Sequence, residues 1–282
     1  VKTTHSSDLV RLAIASDTHG NLPALEAAIA DARTLAPDLI AHAGDMVNGP
    51  ASGEVMGRIL AEGWQGVLGN HEDYVLRFDD PAAPALWRSE RFAPAHWARK
   101  NLAPHHLTAI AAWPITYRPH PEVTLVHGTT ASLRHALRSA MSDEKVKAMY
   151  RDLQTPLVVC GHTHLPLIRR IDGRLYVNVG STGLTLDGDP RAAYAVLTRR
   201  GGLWDAEIRR VAYDRSRVLH YARKDGWLEE GGGVAAAMVH EMLNGRSLTT
   251  PFLRWWEATC PDRGSVEAYR AFVRSQNIEP LV

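Results

Sequence analysis

Five short apolar runs in this chain each end on a glycine flanked by Asp, His or Asn, and that recurrence constrains the fold more than any other feature. RLAIAS (11–16) runs into DTHG (17–20), and DLIAHAG (38–44) into GDMVNG (44–49). WQGVLGN (64–70) runs into GNHE (69–72), EVTLVHG (122–128) ends in HG, and LVVC (157–160) runs into GHTH (161–164). A helix is predicted after Asn21, with Pro23 in its first turn and Leu22, Leu25, Ile29 and Ala32 at helical spacing; a second is predicted around 53–62. Strand and helix alternate, which predicts parallel strands joined by right-handed crossovers. In such sheets ligands bind beyond the carboxyl ends of the strands. Five strands therefore aim Asp, His and Asn at one rim.

The rest of the chain is read more coarsely. Residues 78–113, rich in Pro, Trp and Ala, predict short helices, and 142–153 predicts another helix. LIRRI, RLYVNVG, AAYAVL and WDAEIRRV have two-residue periodicity with DG or GG turns between them, the pattern of an antiparallel meander. From about 213 the pattern is helical, with a GGG break at 231–233.

Composition narrows the function. At 282 residues and 45% hydrophobic, the chain is long enough to bury a full core. Its 32 basic and 31 acidic side chains leave a net charge of +1, which argues against a dedicated nucleic-acid or membrane-surface protein. The Arg pairs at 169–170, 199–200 and 209–210 read as solvated strand ends. Two cysteines, Cys160 and Cys260, imply no disulfide framework and a reducing compartment. The opening VKTTHSSDLV lacks a leader pattern and no run approaches membrane-spanning length, so a cytoplasmic protein is expected.

The chemistry at the rim follows from residue type. Asp17 and His19, and again His162 and His164, lie two apart and are expected on one side of an extended segment. Carboxylate, imidazole and amide oxygen without thiolate suit Mn²⁺, Fe or Zn²⁺ in an open site better than a closed structural zinc. Two ions about 3.5–4 Å apart, bridged by a carboxylate, would clamp a phosphoryl group and lower the pKa of a shared water.

Taken in order, D-x-H, G-D-x-x-x-G, G-N-H-E, H-G and G-H-x-H resemble the calcineurin-like metallophosphoesterase superfamily, over residues 10 to 198 and most closely its small bacterial and archaeal phosphodiesterase branch. The resemblance implies a four-layer α/β/β/α sandwich of two mixed sheets with helices outside. A metallophosphoesterase domain would span 1–212, with a helical insertion at about 78–113, and a C-terminal helical extension 213–282. It implies two divalent ions, Mn²⁺ first, with Fe, Zn²⁺, Ni²⁺ or Mg²⁺ as alternatives. Asp17, His19 and His164 would hold one, Asn70, His127 and His162 the other, and Asp45 would bridge them. His71 would assist departure of the leaving group, and Glu72 would support that region. A metal-bridging hydroxide would attack phosphorus in a phosphodiester, and also a phosphomonoester.

Two departures stand out. GDMVNG places Asn48 and Gly49 where protein phosphatases carry an Asp-Arg pair, which argues against a phosphoprotein substrate, and Val179 replaces a proline in the N-x-G-S turn. Asn48 and Arg134, seven residues past His127, are candidate substrate contacts. Asn178 and Ser181 read as a structural turn beneath the site, and His42 as a core or near-site histidine. The remaining histidines read as surface or helix-face residues, with His105–His106 a weak candidate in a segment that would roof the site. Trp87, Trp97, Trp227, Trp255 and Trp256 read as anchors of the helical additions. The expected partner is a small phosphate ester, without membrane or nucleic acid, and the C-terminal helices offer a homo-oligomer interface. Competing functions are a phosphomonoesterase of proteins or small molecules, a nuclease, and a non-catalytic metal-binding scaffold of the kind found in the retromer coat.

Overall fold

A computed structural model describes residues 9–282 of the chain; residues 1–8, on which the leader expectation rests, lie outside it. In chain order the elements are β1 (Val10–Ala15), α1 (Leu22–Thr34), β2 (Leu39–His42), α2 (Ser52–Ala61), β3 (Gln65–Gly66), α3 (Asn70–Arg77), α4 (Ala93–Asn101), α5 (Pro104–Ala111), β4 (Thr116–His120) and β5 (Val123–Val126). They continue with α6 (Asp143–Met149), β6 (Leu157–Cys160), β7 (Leu167–Ile171), β8 (Arg174–Asn178), β9 (Ala192–Arg200), β10 (Leu203–Val211), α7 (Ser216–Lys224), α8 (Trp227–Asn244), α9 (Thr249–Thr259) and α10 (Ser265–Ser275).

The strands form two mixed five-stranded sheets, ordered β10-β9-β1-β2-β3 and β4-β5-β6-β8-β7. Alternation along each strand explains the layering. Leu12 and Ile14 of β1 face Leu157 and Val159 of β6 in a core shared by the two sheets, with Val123, Leu125, Leu175, Val177 and Leu197. Ala13, on the opposite face of β1, packs against Ala28 and Ala32 of α1. Val158 and Cys160, on the opposite face of β6, join Val146 and Tyr150 on the α6 side. Helices thus cover the outer face of each sheet, and the expected sandwich is the fold.

Three local expectations are corrected. The four runs after residue 166 do not form one meander. β7 and β8 pair antiparallel beside β6, whereas β9 and β10 pair antiparallel beside β1, so the chain crosses between sheets at 179–191. Both hairpins contribute to one core, Val177 and Val179 from one side and Ala195 and Leu197 from the other, and a single sheet would leave one of these faces wet. The third strand is cut to Gln65–Gly66, because Gly69 caps α3 and its carbonyl begins the helical hydrogen bonding. β4 was not expected; it carries Pro119 and is an edge strand, where proline is tolerated.

The C-terminal helices pack around Trp227, Phe252, Trp256, Tyr269 and Phe272, and that cluster also takes in Trp97 of α4 and Leu184. Gly232 interrupts α8 with φ 60° and ψ −144°. Arg199 pairs with Glu122 at 2.7 Å and Arg209 with Asp31 at 3.1 Å, so these strand-end arginines serve local ion pairs. No helix among the described residues is long and apolar enough to cross a membrane.

Candidate metal centre

Loops leaving β1, β2, β3, β5 and β6 meet at one end of the two sheets. The β1 and β2 loops run side by side, with Asp17 N donating to Gly44 O (2.9 Å) and His19 N to Asp45 O (3.0 Å). Asn70 and His71 occupy the first turn of α3. Glu72, fully buried at the third position, accepts from the N–H groups of Gly69 (2.9 Å), Asp45 (2.8 Å), Met46 (2.7 Å) and Val47 (3.1 Å). One carboxylate thus fixes the Asp45 loop against α3. Burial and neighbouring Asp45 push Glu72 up to about 7, while its four N–H partners favour the ionised acceptor.

Two glycines are dictated by contact. A Cβ on Gly69 would lie 2.2 Å from Asp45 Oδ1, and one on Gly161 would lie 2.4 Å from Asp17 Oδ2. No other residue lets the backbone come so close to these carboxylates.

The loops assemble two groups of ligand type, Asp17–His19–His164 and Asp45–His127–His162, whose donor atoms lie within 4.8 Å of one another in each group. Asp45 also groups with His19 and His71, so its carboxylate stands between the two sets. Asn70 completes the second set, its Oδ1 lying 2.8 Å from His162 Nδ1 and 3.1 Å from His127 Nε2. Asp45 Oδ2 is 3.2 Å from His127 Nε2, 3.9 Å from His71 Nε2 and 4.0 Å from His19 Nε2. Asp17 accepts from His162 N through both oxygens (3.1 and 3.0 Å) and from Ser16 Oγ (2.5 Å).

The hydrogen bonds set which ring nitrogens face inward. His127 Nδ1–H donates to Ala43 O (2.8 Å) and His164 Nδ1–H to Leu184 O (2.5 Å), so each neutral ring turns an Nε2 lone pair to the centre. His164 Nε2 then faces Asp17 Oδ1 at 3.2 Å, with His19 Nε2 3.1 Å away, and His127 Nε2 faces a carboxylate oxygen and an amide oxygen. Acceptors converging on acceptors repel unless a cation lies among them, and the donor set is that of divalent-ion sites. The residues fit the implied metals.

Without an ion, imidazolium supplies the missing charge. Burial opposes charge on His127, but Asp45 and Asp17 raise it to about 10. Burial would raise Asp45, yet His127, His71 and His19 hold it well below the usual carboxylate range. Burial and His127 depress His162 to about 4.

Each predicted site residue can now be placed. The seven ligand candidates and His71 come together. Asn48 is buried, and its Nδ2 donates to His71 Nδ1, which puts the proton of neutral His71 on Nε2, toward Asp45. Arg134 stands outside, over the ring of Tyr74. Asn178 donates to the carbonyls of Leu137 and Gly161, and Ser181 Oγ to Asp17 O, so both brace the turn beneath the site. His105 and His106 lie on α5, outside the groups gathered at the centre; His106 is buried near Glu54, not on the surface. Tyr74, which meets His71 edge-on at 5.1 Å, was missed; its place one helical turn after Asn70 was the available signal.

No protein of curated function matches the chain. Among solved structures, a metallophosphoesterase from Sphaerobacter thermophilus is 26% identical with a TM-score of 0.67, covering 84% of this chain and 99% of its own. A hypothetical protein from Pyrococcus horikoshii OT3, 15% identical with a TM-score of 0.68 over 85% of this chain and 100% of its own, shares the fold. The family model of the calcineurin-like phosphoesterase superfamily domain matches residues 10–202, the segment that carries every loop described above, and the chain belongs to that superfamily.

Proposed function

We propose that this protein is a di-metal phosphoesterase that hydrolyses phosphodiesters, and also phosphomonoesters, of small molecules. The observation that carries this is the position of Asp45, whose carboxylate stands between two sets of nitrogen and oxygen donors. Asp17, His19 and His164 would hold one ion, Asn70, His127 and His162 the other, with Asp45 shared. When bound, the pair would neutralise the phosphoryl oxygens and supply a water of lowered pKa. The remaining work belongs to the side chains. His71 is kept neutral by burial, despite Asp45, and presents Nε2–H to the departing alcohol oxygen. Asn48 holds that tautomer and ring orientation through Nδ1. Asp17, His19, Asp45 and His127 are almost inaccessible to solvent, which strengthens every charge interaction among them.

The test is hydrolysis of p-nitrophenyl phosphate and bis-p-nitrophenyl phosphate by metal-stripped protein with Mn²⁺, Mg²⁺, Zn²⁺ or Ni²⁺ restored. Turnover is expected to require metal, to be best with Mn²⁺, and to favour the diester. His71→Ala is expected to lower kcat about 10²- to 10⁴-fold while metal uptake persists. Equal turnover in His71→Ala would remove His71 from the chemistry. Absence of turnover with every metal would refute the proposed activity.

A further inference from the structure

Aromatic and imidazole rings step outward from the candidate centre. His164 and His19 have ring centroids 4.9 Å apart, His19 and His71 4.6 Å, and His71 and Tyr74 5.1 Å. Beyond Tyr74 the next group is a cation: the Arg134 guanidinium carbon lies 5.1 Å from the Tyr74 ring centroid and 5.7 Å from that of Trp87. Arg134 Nε donates to Tyr74 Oη at 3.3 Å. Its neighbouring carboxylate, Asp73, is 3.8 Å away, too long for a hydrogen bond, and is shared with Arg77 at 3.5 Å. The Arg134 side chain is 47% exposed. Its position is thus set by two rings and a hydroxyl, while the terminal N–H groups keep their donor capacity.

We infer that Arg134 is a specificity-determining anchor, binding a second anionic group on the alcohol side of the substrate, so that favoured substrates are phosphoric esters whose leaving alcohol carries another phosphate. The inference rests on the proposed phosphoesterase activity and on His71 facing the leaving group. An alcohol departing past His71 passes Tyr74 and meets the guanidinium, whose planar fork matches phosphate geometry. Stacking on Tyr74 and Trp87 limits the rotamer freedom Arg134 would otherwise lose on binding. Arg77 is also near Trp87, at 6.0 Å, but its donors are taken by Asp80 and Asp73.

The test compares adenosine 3′,5′-bisphosphate with adenosine 3′-phosphate and adenosine 5′-phosphate in the Mn²⁺-loaded protein, with p-nitrophenyl phosphate alongside. In the bisphosphate, whichever ester is cleaved, the leaving alcohol carries the other phosphate. The expected kcat/KM ratio of bisphosphate to either monophosphate is about 10 to 100, the range for charge-assisted hydrogen bonds. In Arg134→Met, which keeps an unbranched chain against the rings, the ratio is expected to fall toward 1, mainly through KM. Arg134→Lys should lie between, as a point charge without the fork. A wild-type ratio near 1 overturns the inference without recourse to any variant. So does an Arg134→Met protein that melts like the parent and retains the ratio. If p-nitrophenyl phosphate and all three nucleotides stay intact, the phosphomonoesterase part of the proposed function fails and this inference with it; turnover without preference overturns the anchor alone.

Discussion

Asp17, His19, Asp45, Asn48, His162 and His164 all have positive φ, between 47° and 69°, a region that side chains other than Asn, Asp and His rarely enter. The two-residue spacing of Asp17–His19 and His162–His164 suggested extended segments with side chains on one side. The structure brings these side chains together by left-handed residues instead, because a chain leaving a strand must turn back to face its neighbours. Residue type was legible in the sequence; backbone conformation was not, although Asp, Asn or His beside glycine is a recognisable left-handed signature. His42 shows what burial adds at this scale. It is fully buried against Trp113, with no hydrogen-bond partner for Nε2, and burial, reinforced by His127, lowers it to about 3. The folded value lies below the unfolded 6.5, so the unfolded chain takes up the proton first. This contribution is complete above pH 6.5 and is lost as pH falls from 6.5 toward 3. At pH 5 the loss is about 2 kcal/mol. Urea unfolding of the metal-free protein at pH 8 and pH 5 should show His42→Asn losing about 2 kcal/mol less than the parent. Equal losses in the two proteins would show that His42 is not the group responsible.

α3 is the element that sequence periodicity missed. Its first turn, Asn70-His71-Glu72-Asp73, is wholly polar and carries no apolar stripe, so 64–70 looked like a strand running to its glycine. The signal was local: glycine followed by an acidic residue at the third helical position, the arrangement in which Glu72 accepts from Gly69 N. β1, β2, β5 and β6 were legible because both faces are buried and the runs are apolar. The partition of β7–β10 between two sheets was not, since alternation specifies faces and not partners. Glu72 joins the GDMVNG and GNHE motifs, and its role is testable. Glu72→Gln keeps the volume but replaces one acceptor oxygen with an N–H₂ group facing N–H donors. Destabilisation of about 2–4 kcal/mol is expected, since buried donors lose a charged acceptor, together with weaker metal uptake. Urea unfolding and metal stoichiometry measure both. A change within about 0.5 kcal/mol would mean that the Asp45 loop holds its shape without the carboxylate.

Across the whole molecule, the C-terminal helices and the candidate centre are mechanically connected. The Leu184 carbonyl accepts from His164 Nδ1, while the Leu184 side chain packs into the cluster of Trp227, Phe252 and Tyr269. Asn21, the N-cap of α1, donates to both Gly183 O and Tyr213 Oη, and Tyr213 in turn donates to Met242 O on α8. The segment that fixes the tautomer of His164 is therefore clasped between α1 and the helices beyond residue 213. In the sequence those helices read only as an extension, because this link runs through backbone carbonyls that no sequence pattern displays. A chain ending at residue 212 would expose Trp97 and Leu184 and leave the loop at 182–186 without its outer support. It is expected to lose cooperative melting, or to melt well below the full chain, and to take up fewer divalent ions. Thermal unfolding and metal stoichiometry of the two lengths decide the matter. A 1–212 chain that melts cooperatively within a few degrees of the full protein and takes up the same number of ions would make the helices a separable appendage, and would place the support of His164 entirely within the sandwich.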